Sequence, residues 1–319
     1  MPASHHARPA VHHPLGLEDA NVVAAMRAQT APFKGAVYGP AGREAYDAIL
    51  NNVAAPKDVA FEAAVVGSVE GVWCQPAERR TDAVVLFLHG GGCVMGSARA
   101  YANFAGHFAQ RLAAPVFVAD YRLAPEHAFP AALEDAHAAY RGLSNAGATR
   151  VAVIGDSAGG GLSLSLLSLL QAKAANAAAR PFAAVVMSPW TDLSMSGQSI
   201  VGKADEELYL TKAMLEACAA MYLGGAQAGH PQASVLNAPL AGLPPLQIHV
   251  GTSEILLDDS IRYFERASAA HADVALHVWE GMPHVFPNCP GVLQAADQAL
   301  DVMTSFIADQ LRRARGATP

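Results

Sequence analysis

The pentapeptide Gly155-Asp156-Ser157-Ala158-Gly159 follows a short apolar run at 151–154 and precedes a longer one at 161–175. A strand entering such a turn and a helix leaving it expose the serine hydroxyl on a strained corner. The helix N-terminus then points free N–H groups and partial positive charge at it. Ser157 in this context is a candidate nucleophile for acyl transfer. A Gly-x-Ser-x-Gly alone is often a mere turn, and it is the strand and helix around it that favour catalysis. The second signal is His89-Gly90-Gly91-Gly92, directly after the apolar run 83–88. Glycines let the backbone approach a substrate with N–H groups free to donate, which acyl transfer requires because negative charge develops on the carbonyl oxygen. The N–H of Ala158 is expected to complete that oxyanion hole, with His89 and Gly90 in support.

Ser157 needs a base, and thirteen histidines compete. His5, His6, His12 and His13 fall in the N-terminal segment. His107, His127, His137 and His271 fall in or near helical stretches, His249 and His277 within strand runs, and His230 in an irregular insertion. His284 lies in Glu280-Gly281-Met282-Pro283-His284-Val285-Phe286, a loop after the last strand run. It follows the serine in the chain order that a strand–turn–helix nucleophile demands. The acid that orients the imidazole should come after the penultimate strand, in Thr252-Ser253-Glu254-Ile255-Leu256-Leu257-Asp258-Asp259. Glu254 sits in the loop. Asp258 is the alternative, but it and Asp259 read as the opening of a helix, where carboxylates commonly serve the dipole.

These residues must be positioned by a scaffold. The runs 83–88, 115–119, 151–154, 182–187, 246–250 and 274–278 are continuously apolar, as strands buried on both faces are. Residues 58–66 and 71–75 read as two strands joined by a Gly-Ser turn. Helical stretches at 101–112, 131–143 and 161–175 alternate with them. That alternation predicts an α/β domain with a mostly parallel eight-stranded sheet and helices on both faces. Two further helices are expected at 16–30 and 43–51. Residues 193–234 break the rhythm with Gly, Ser and Met before a helix at 211–222, and read as an insertion over the sheet. The expected organisation is an N-terminal segment 1–55, a catalytic domain from 56–192 and 236–319, and an insertion at 193–235.

Composition excludes other classes. With 52% apolar and 15% charged residues the chain can bury a large core. A net charge of −7 without a basic stripe argues against nucleic acid. No apolar run is long enough to span a membrane, and the N-terminus lacks the apolar stretch of a secretory signal. Cys74, Cys93, Cys218 and Cys289 are scattered, as buried free thiols of a reducing compartment are. No zinc spacing is present. A cytoplasmic protein is therefore expected.

From residue 58 onward the chain resembles the hormone-sensitive lipase-like bacterial esterases, often called family IV. The resemblance rests on HGGG, then Tyr121-Arg122-Leu123-Ala124-Pro125-Glu126-His127-Ala128-Phe129-Pro130-Ala131, then GDSAGG. Ser188-Pro189-Trp190-Thr191-Asp192 and His284-x-Phe286 extend it. It implies the α/β-hydrolase fold, carboxylesterase action on short acyl esters, no metal or organic cofactor, and a helical cap built from the N-terminal segment and the insertion. It implies that Gly91 and Gly92 donate to the oxyanion with Ala158, and that the triad acid is Glu254. Many members carry Asp-Pro at that place, so the longer Glu implies a loop set slightly further back. Asp156 is implied to brace the elbow, Asp192 to be structural, and Arg122, Glu126 and Asp135 to tie the loops beneath the site. Homodimers are common in the family, through the last strand and helix.

Met95, Phe33, Tyr209, Leu210, Met214 and Phe286 are candidates for the substrate pocket, against ordinary packing in the core or cap. The chemistry expected is two-step acyl transfer through an acyl-serine, with activity rising through a histidine titration near about 6.5 if unperturbed. Lactone, amide or carbamate hydrolysis by the same triad is the sibling alternative. A lipase acting at an oil–water interface is another, but no long amphipathic segment supports it. A non-catalytic binding protein, as in related plant hormone receptors, lacks the histidine that stands here at 284.

Overall fold

The eight runs read as strands all enter one sheet, and a ninth, very short strand joins them. The computed structural model describes residues 9–36, 38–79, 82–173 and 180–316. Its strands are β1 (Val11–His13), β2 (Val59–Val66), β3 (Val69–Pro76), β4 (Ala83–Leu88), β5 (Val116–Ala119), β6 (Arg150–Asp156), β7 (Ala183–Met187), β8 (Leu246–Gly251) and β9 (Val274–Trp279). Their order is β1-β9-β8-β7-β6-β4-β5-β3-β2. All neighbours run parallel except β5 with β3 and β3 with β2. The expected eight-stranded sheet is thus nine-stranded. Three residues are too short to show a period, and Val11–His13 becomes a strand only because His277, Val278 and Trp279 offer a free edge to pair with. For those residues the last expected strand is not the sheet edge.

Helices cover both faces. They are α1 (Leu17–Thr30), α2 (Arg43–Leu50), α3 (Ala98–Leu112), α4 (Ala131–Asn145), α5 (Ser157–Lys173), α6 (Ser199–Gly202), α7 (Lys212–Leu223), α8 (Leu257–Ala269) and α9 (Gln294–Gly316). Successive strand side chains point to opposite faces, which explains why the central runs are apolar throughout. Val84, Leu86, Val151 and Val153 pack with residues of α4, α5 and α8, whereas Val85, Phe87, Ala152 and Ile154 pack with α3 and α9. Helix α3 starts where the Ser97 hydroxyl accepts from the Ala100 amide at 3.1 Å. It stops at Ala113, whose φ of 48° is left-handed. His5 and His6, and the end of the stretch expected at 161–175, lie outside the described residues.

The stretch between β7 and β8 carries α6 and α7, and the N-terminal segment is tied to it. Arg27 donates to the carbonyls of Asp205 and Glu206 at 3.0 and 2.7 Å, and the Gly35 amide donates to the Tyr209 carbonyl at 3.0 Å. Arg43 at the start of α2 donates to the Val94 and Ala124 carbonyls and forms an ion pair with Glu126 at 2.6 Å. Both segments therefore converge above the C-terminal ends of the central strands. Among the described residues no helix is long and apolar enough to cross a membrane.

Candidate active site

The C-terminal ends of β4, β6, β7, β8 and β9 are where the chemistry-bearing residues meet, as expected for an open parallel sheet. At the end of β6 the chain turns directly into α5, and Ser157 takes a φ of 53°, a left-handed conformation costly for a non-glycine residue. The glycines of the turn are steric necessities. A Cβ at Gly159 would lie 2.1 Å from the Leu88 carbonyl oxygen and 2.2 Å from that of His89. One at Gly155 would lie 2.4 Å from the Gly159 oxygen. So the corner carrying Ser157 is pressed against the end of β4.

That end of β4 is the glycine loop. Gly91 and Gly92 have φ of 106° and 66°. Asp156 braces the loop from inside: it accepts from the Gly90 amide and from the Tyr101 hydroxyl, each at 3.0 Å. Burial pushes its carboxyl up to about 7, against the opposing pull of those two hydrogen bonds. His89 is fully buried, stacked on Tyr121 at 4.3 Å, and its Nδ1 lies 2.7 Å from the Gly90 carbonyl oxygen.

His284 stands in the loop after β9. Its Nε2 lies 2.9 Å from Ser157 Oγ and its Nδ1 2.8 Å from Glu254 Oε2. Glu254 is fully buried. Its Oε1 accepts from the Gly251 amide and from the Ser188 hydroxyl, both at 2.8 Å. Burial by itself would lower the imidazole's affinity for a proton. The hydrogen bond and charge of Glu254, helped by Glu207 and Asp156, outweigh it and raise the His284 pKa above 6.5. The unperturbed titration expected from sequence is thus shifted upward by a buried carboxylate.

Asp258 faces elsewhere. It accepts from the Ser199 amide at 2.9 Å, holding the start of the short helix α6. Asp259 accepts from the Thr191 and Asp192 amides, and Asp192 from the Ser194 and Ser196 amides with an ion pair to Arg262 at 3.1 Å. Arg122 grips Asp135 through both Nε and Nη2 and reaches Glu134 at 3.1 Å.

Two residues that sequence reasoning left without a role join the site. The Ser188 hydroxyl donates to Glu254 and accepts from the Val285 amide at 3.1 Å, linking the ends of β7, β8 and β9. Its φ of 46° marks it as a second strained corner. Glu207, from the insertion, is buried and accepts from the Ile255 amide at 3.0 Å, one residue beyond Glu254. Nothing in the local sequence around Glu207 announces this, because its partner lies 48 residues away.

Beside Ala158 lies a cavity of about 10 Å³, bounded by Cys93, Leu162, Trp190, Leu193 and Tyr222 among others. None of the six pocket candidates borders it. Phe33 is 68% exposed, Phe286 packs against Trp279 on the α9 face, and Met95 is fully buried behind Gly91. Leu210 is buried, and Tyr209 and Met214 are half-buried against the core.

Comparison with known proteins gives a consistent picture. A family model described as "alpha/beta hydrolase fold" matches residues 85–288. An acetyl-hydrolase of Streptomyces hygroscopicus is 37% identical over 244 residues, 76% of this chain and 80% of the relative. An esterase of Acinetobacter venetianus is 32% identical over 233 residues, 72% of this chain and 76% of the relative. The crystal structure of an esterase from the bacterial hormone-sensitive lipase family superposes with a TM-score of 0.86. It shares 37% identity and covers 93% of this chain and 99% of its own.

Proposed function

Since this chain belongs to the α/β-hydrolase family, in its bacterial hormone-sensitive lipase branch, and is a carboxylesterase, we propose that Ser157, His284 and Glu254 are its catalytic triad and short acyl esters its substrates. The observation that carries this reading is the imidazole of His284 lying 2.9 Å from the Ser157 hydroxyl and 2.8 Å from a buried carboxylate.

In the mechanism so proposed, Nε2 of His284 takes the Ser157 proton as Oγ attacks the ester carbonyl. Glu254 holds the ring with Nδ1–H toward it and stabilises the imidazolium. The oxyanion is held by the amides of Gly91, Gly92 and Ala158, and the imidazolium then protonates the departing alcohol. Water attacks the acyl-serine with the same ring as base, releasing the acid. Asp156 keeps the glycine loop seated through the Gly90 amide. The N-terminal segment 1–55 and the insertion 193–235 are proposed to act together as the cap, a reading supported by the bonds of Arg27 and Gly35 to the insertion.

The short-chain part of the reading is supported by the cavity beside Ala158. A carbonyl whose oxygen faces Ala158 directs one substituent toward His284 and the other away from it. The leaving alcohol must face His284 to receive its proton, and the acyl substituent is proposed to take the cavity that Ala158 borders. A volume of about 10 Å³ holds roughly one water-sized group, which supports acetyl and comparably short acyl groups.

The test is a panel of nitrophenyl acetate, butyrate and long-chain esters with wild type and Ser157→Ala. Fast acetyl turnover, declining with chain length and absent in the variant, is expected. Preference for emulsified long-chain esters would sink the short-chain reading, and retained activity in Ser157→Ala would eliminate the nucleophile.

A further inference from the structure

Three histidines that the proposed mechanism does not use lie together where β1 meets the sheet. A continuous chain of hydrogen bonds connects them. The Trp279 indole N–H donates to His249 Nδ1 at 3.2 Å. His249 Nε2 lies 2.9 Å from Gln247 Oε1, Gln247 Nε2 lies 3.0 Å from His277 Nε2, and His277 Nδ1 lies 2.9 Å from His13 Nε2.

The direction of this relay is set at its Trp end. An indole N–H can only donate, and a neutral imidazole has one donor and one acceptor nitrogen. His249 must therefore accept at Nδ1 and donate from Nε2 to the Gln247 carbonyl. The Gln247 amide then donates to His277 Nε2, and His277 donates from Nδ1 to His13. Every bond is satisfied only when all three rings are neutral. A proton added at His277 sets its Nε2–H against the Gln247 amide. Turning the amide over relieves that clash but moves it along the chain, where His249 Nδ1–H then faces the Trp279 N–H. A proton on His13 Nε2 likewise faces the His277 Nδ1–H.

The relay also touches the loop that carries His284. The His13 ring stacks on Trp279 with centroids 3.7 Å apart and planes at 5°, and Trp279 packs on Phe286 at 5.3 Å. The His13 carbonyl accepts from the Glu280 amide at 3.0 Å, and the Leu15 side chain occupies the space over Gly281. Strand β1 and Leu15 just after it thus cover the start of segment 280–286, and the Trp279 ring on which His13 stacks reaches its end at Phe286. Protons have a route in, because His277 borders a groove of about 570 Å³ between β1, β8 and α9. The ionisable groups around the rings are His12 on β1, Asp273 at the start of β9, and Asp301, Asp309 and Arg313 on α9. Burial lowers the pKa of all three rings, that of His277 to about 4, with further lowering from the neighbouring histidines.

We propose that β1 is a proton-sensitive clasp, in which His13 and Trp279 position the His284 loop while the relay is neutral and a proton entering at His277 or His13 releases both strand and loop. In its effect on turnover the clasp rests on the reading of His284 as base. In its effect on structure it does not.

The experiment follows amide hydrogen exchange of residues 279–286, corrected for intrinsic rates, together with NMR titration of the imidazoles. Wild type and Ser157→Ala should both lose at least about tenfold protection in the loop between about pH 7.5 and 4.5. Trp279→Phe keeps a ring against Phe286 but removes the N–H that locks the relay, so Gln247 can turn over for a protonated His277. In this variant the loop should stay protected at acid pH, and the His277 titration should move up from about 4. His13→Ala should expose the loop already at neutral pH and lower kcat by about tenfold with KM within about twofold. A loop whose protection does not change with pH in wild type overturns the proposal, as does a Trp279→Phe variant that responds to acid as wild type does. If His13→Ala fails to fold, those two measurements still decide. Activity surviving in Ser157→Ala would refute the catalytic reading alone, since neither exchange nor NMR reads turnover.

Discussion

Ser188 holds Glu254: its Oγ donates to Glu254 Oε1 at 2.8 Å and itself accepts from the Val285 amide at 3.1 Å. One side chain at the end of β7 thereby ties the carboxylate after β8 to the histidine loop after β9. Replacing Ser188 with Ala leaves a buried carboxylate oxygen and a buried amide each short of a partner. Steady-state kinetics should show kcat reduced by about tenfold or more with KM little changed, and an unaltered kcat would remove Ser188 from the positioning of the site.

The acid is tested by two isosteric replacements. Glu254→Gln keeps the volume but no longer stabilises the imidazolium, and kcat should fall by about 10³–10⁴. Asp258→Asn should keep near-wild-type turnover and lose at most about 1 kcal/mol of stability through the α6 contact. If the second variant alone were inactive, the acid would be Asp258.

Activity against pH follows from the direction of the His284 shift. In the proposed mechanism the ring must be neutral to accept the serine proton, and its pKa is raised above 6.5. Accordingly kcat/KM should fall on acidification through an inflection above 6.5. Asp156 contributes to that elevation, so Asp156→Asn should move the inflection toward acid. A profile that is flat between about pH 5 and 8 contradicts His284 as base.

Chain-length selectivity should respond to the cavity wall. Leu193 borders the space beside Ala158, and Leu193→Ala lengthens it by several heavy atoms. The ratio of butyrate to acetate kcat/KM should rise by about tenfold or more, the worth of one or two buried methylenes. An unchanged ratio would place the acyl group elsewhere.

The elbow has no room for a side chain at Gly159. A Cβ there would press on the carbonyl oxygens of Leu88 and His89 at 2.1 and 2.2 Å, both backbone atoms that cannot swing away. Gly159→Ala should therefore cost about 3 kcal/mol or more, read as a lowered thermal midpoint together with lost activity.

The sequence by itself determined the sheet's core strands, the helices between them, and the local frame around Ser157 and the glycine loop. Those features are written in short stretches: an apolar run long enough to bury both faces, and glycines where the backbone must turn or approach another chain. The placing of His284 and Glu254 in loops after the last two strands also follows from chain order, since a parallel sheet delivers all its strand ends to one side. What only the tertiary structure decided are relations between residues with no local pattern. Val11–His13 is a strand because β9 offers an edge. Glu207 meets the Glu254 loop because the insertion folds back. Asp258 turns to α6 while Glu254 turns to His284, although the two are four residues apart. The size of the cavity beside Ala158 is likewise set by residues from five separate segments. Such contacts depend on how packed elements come to rest against one another, and their energy is spread over partners too distant in the chain for any short window of residues to contain.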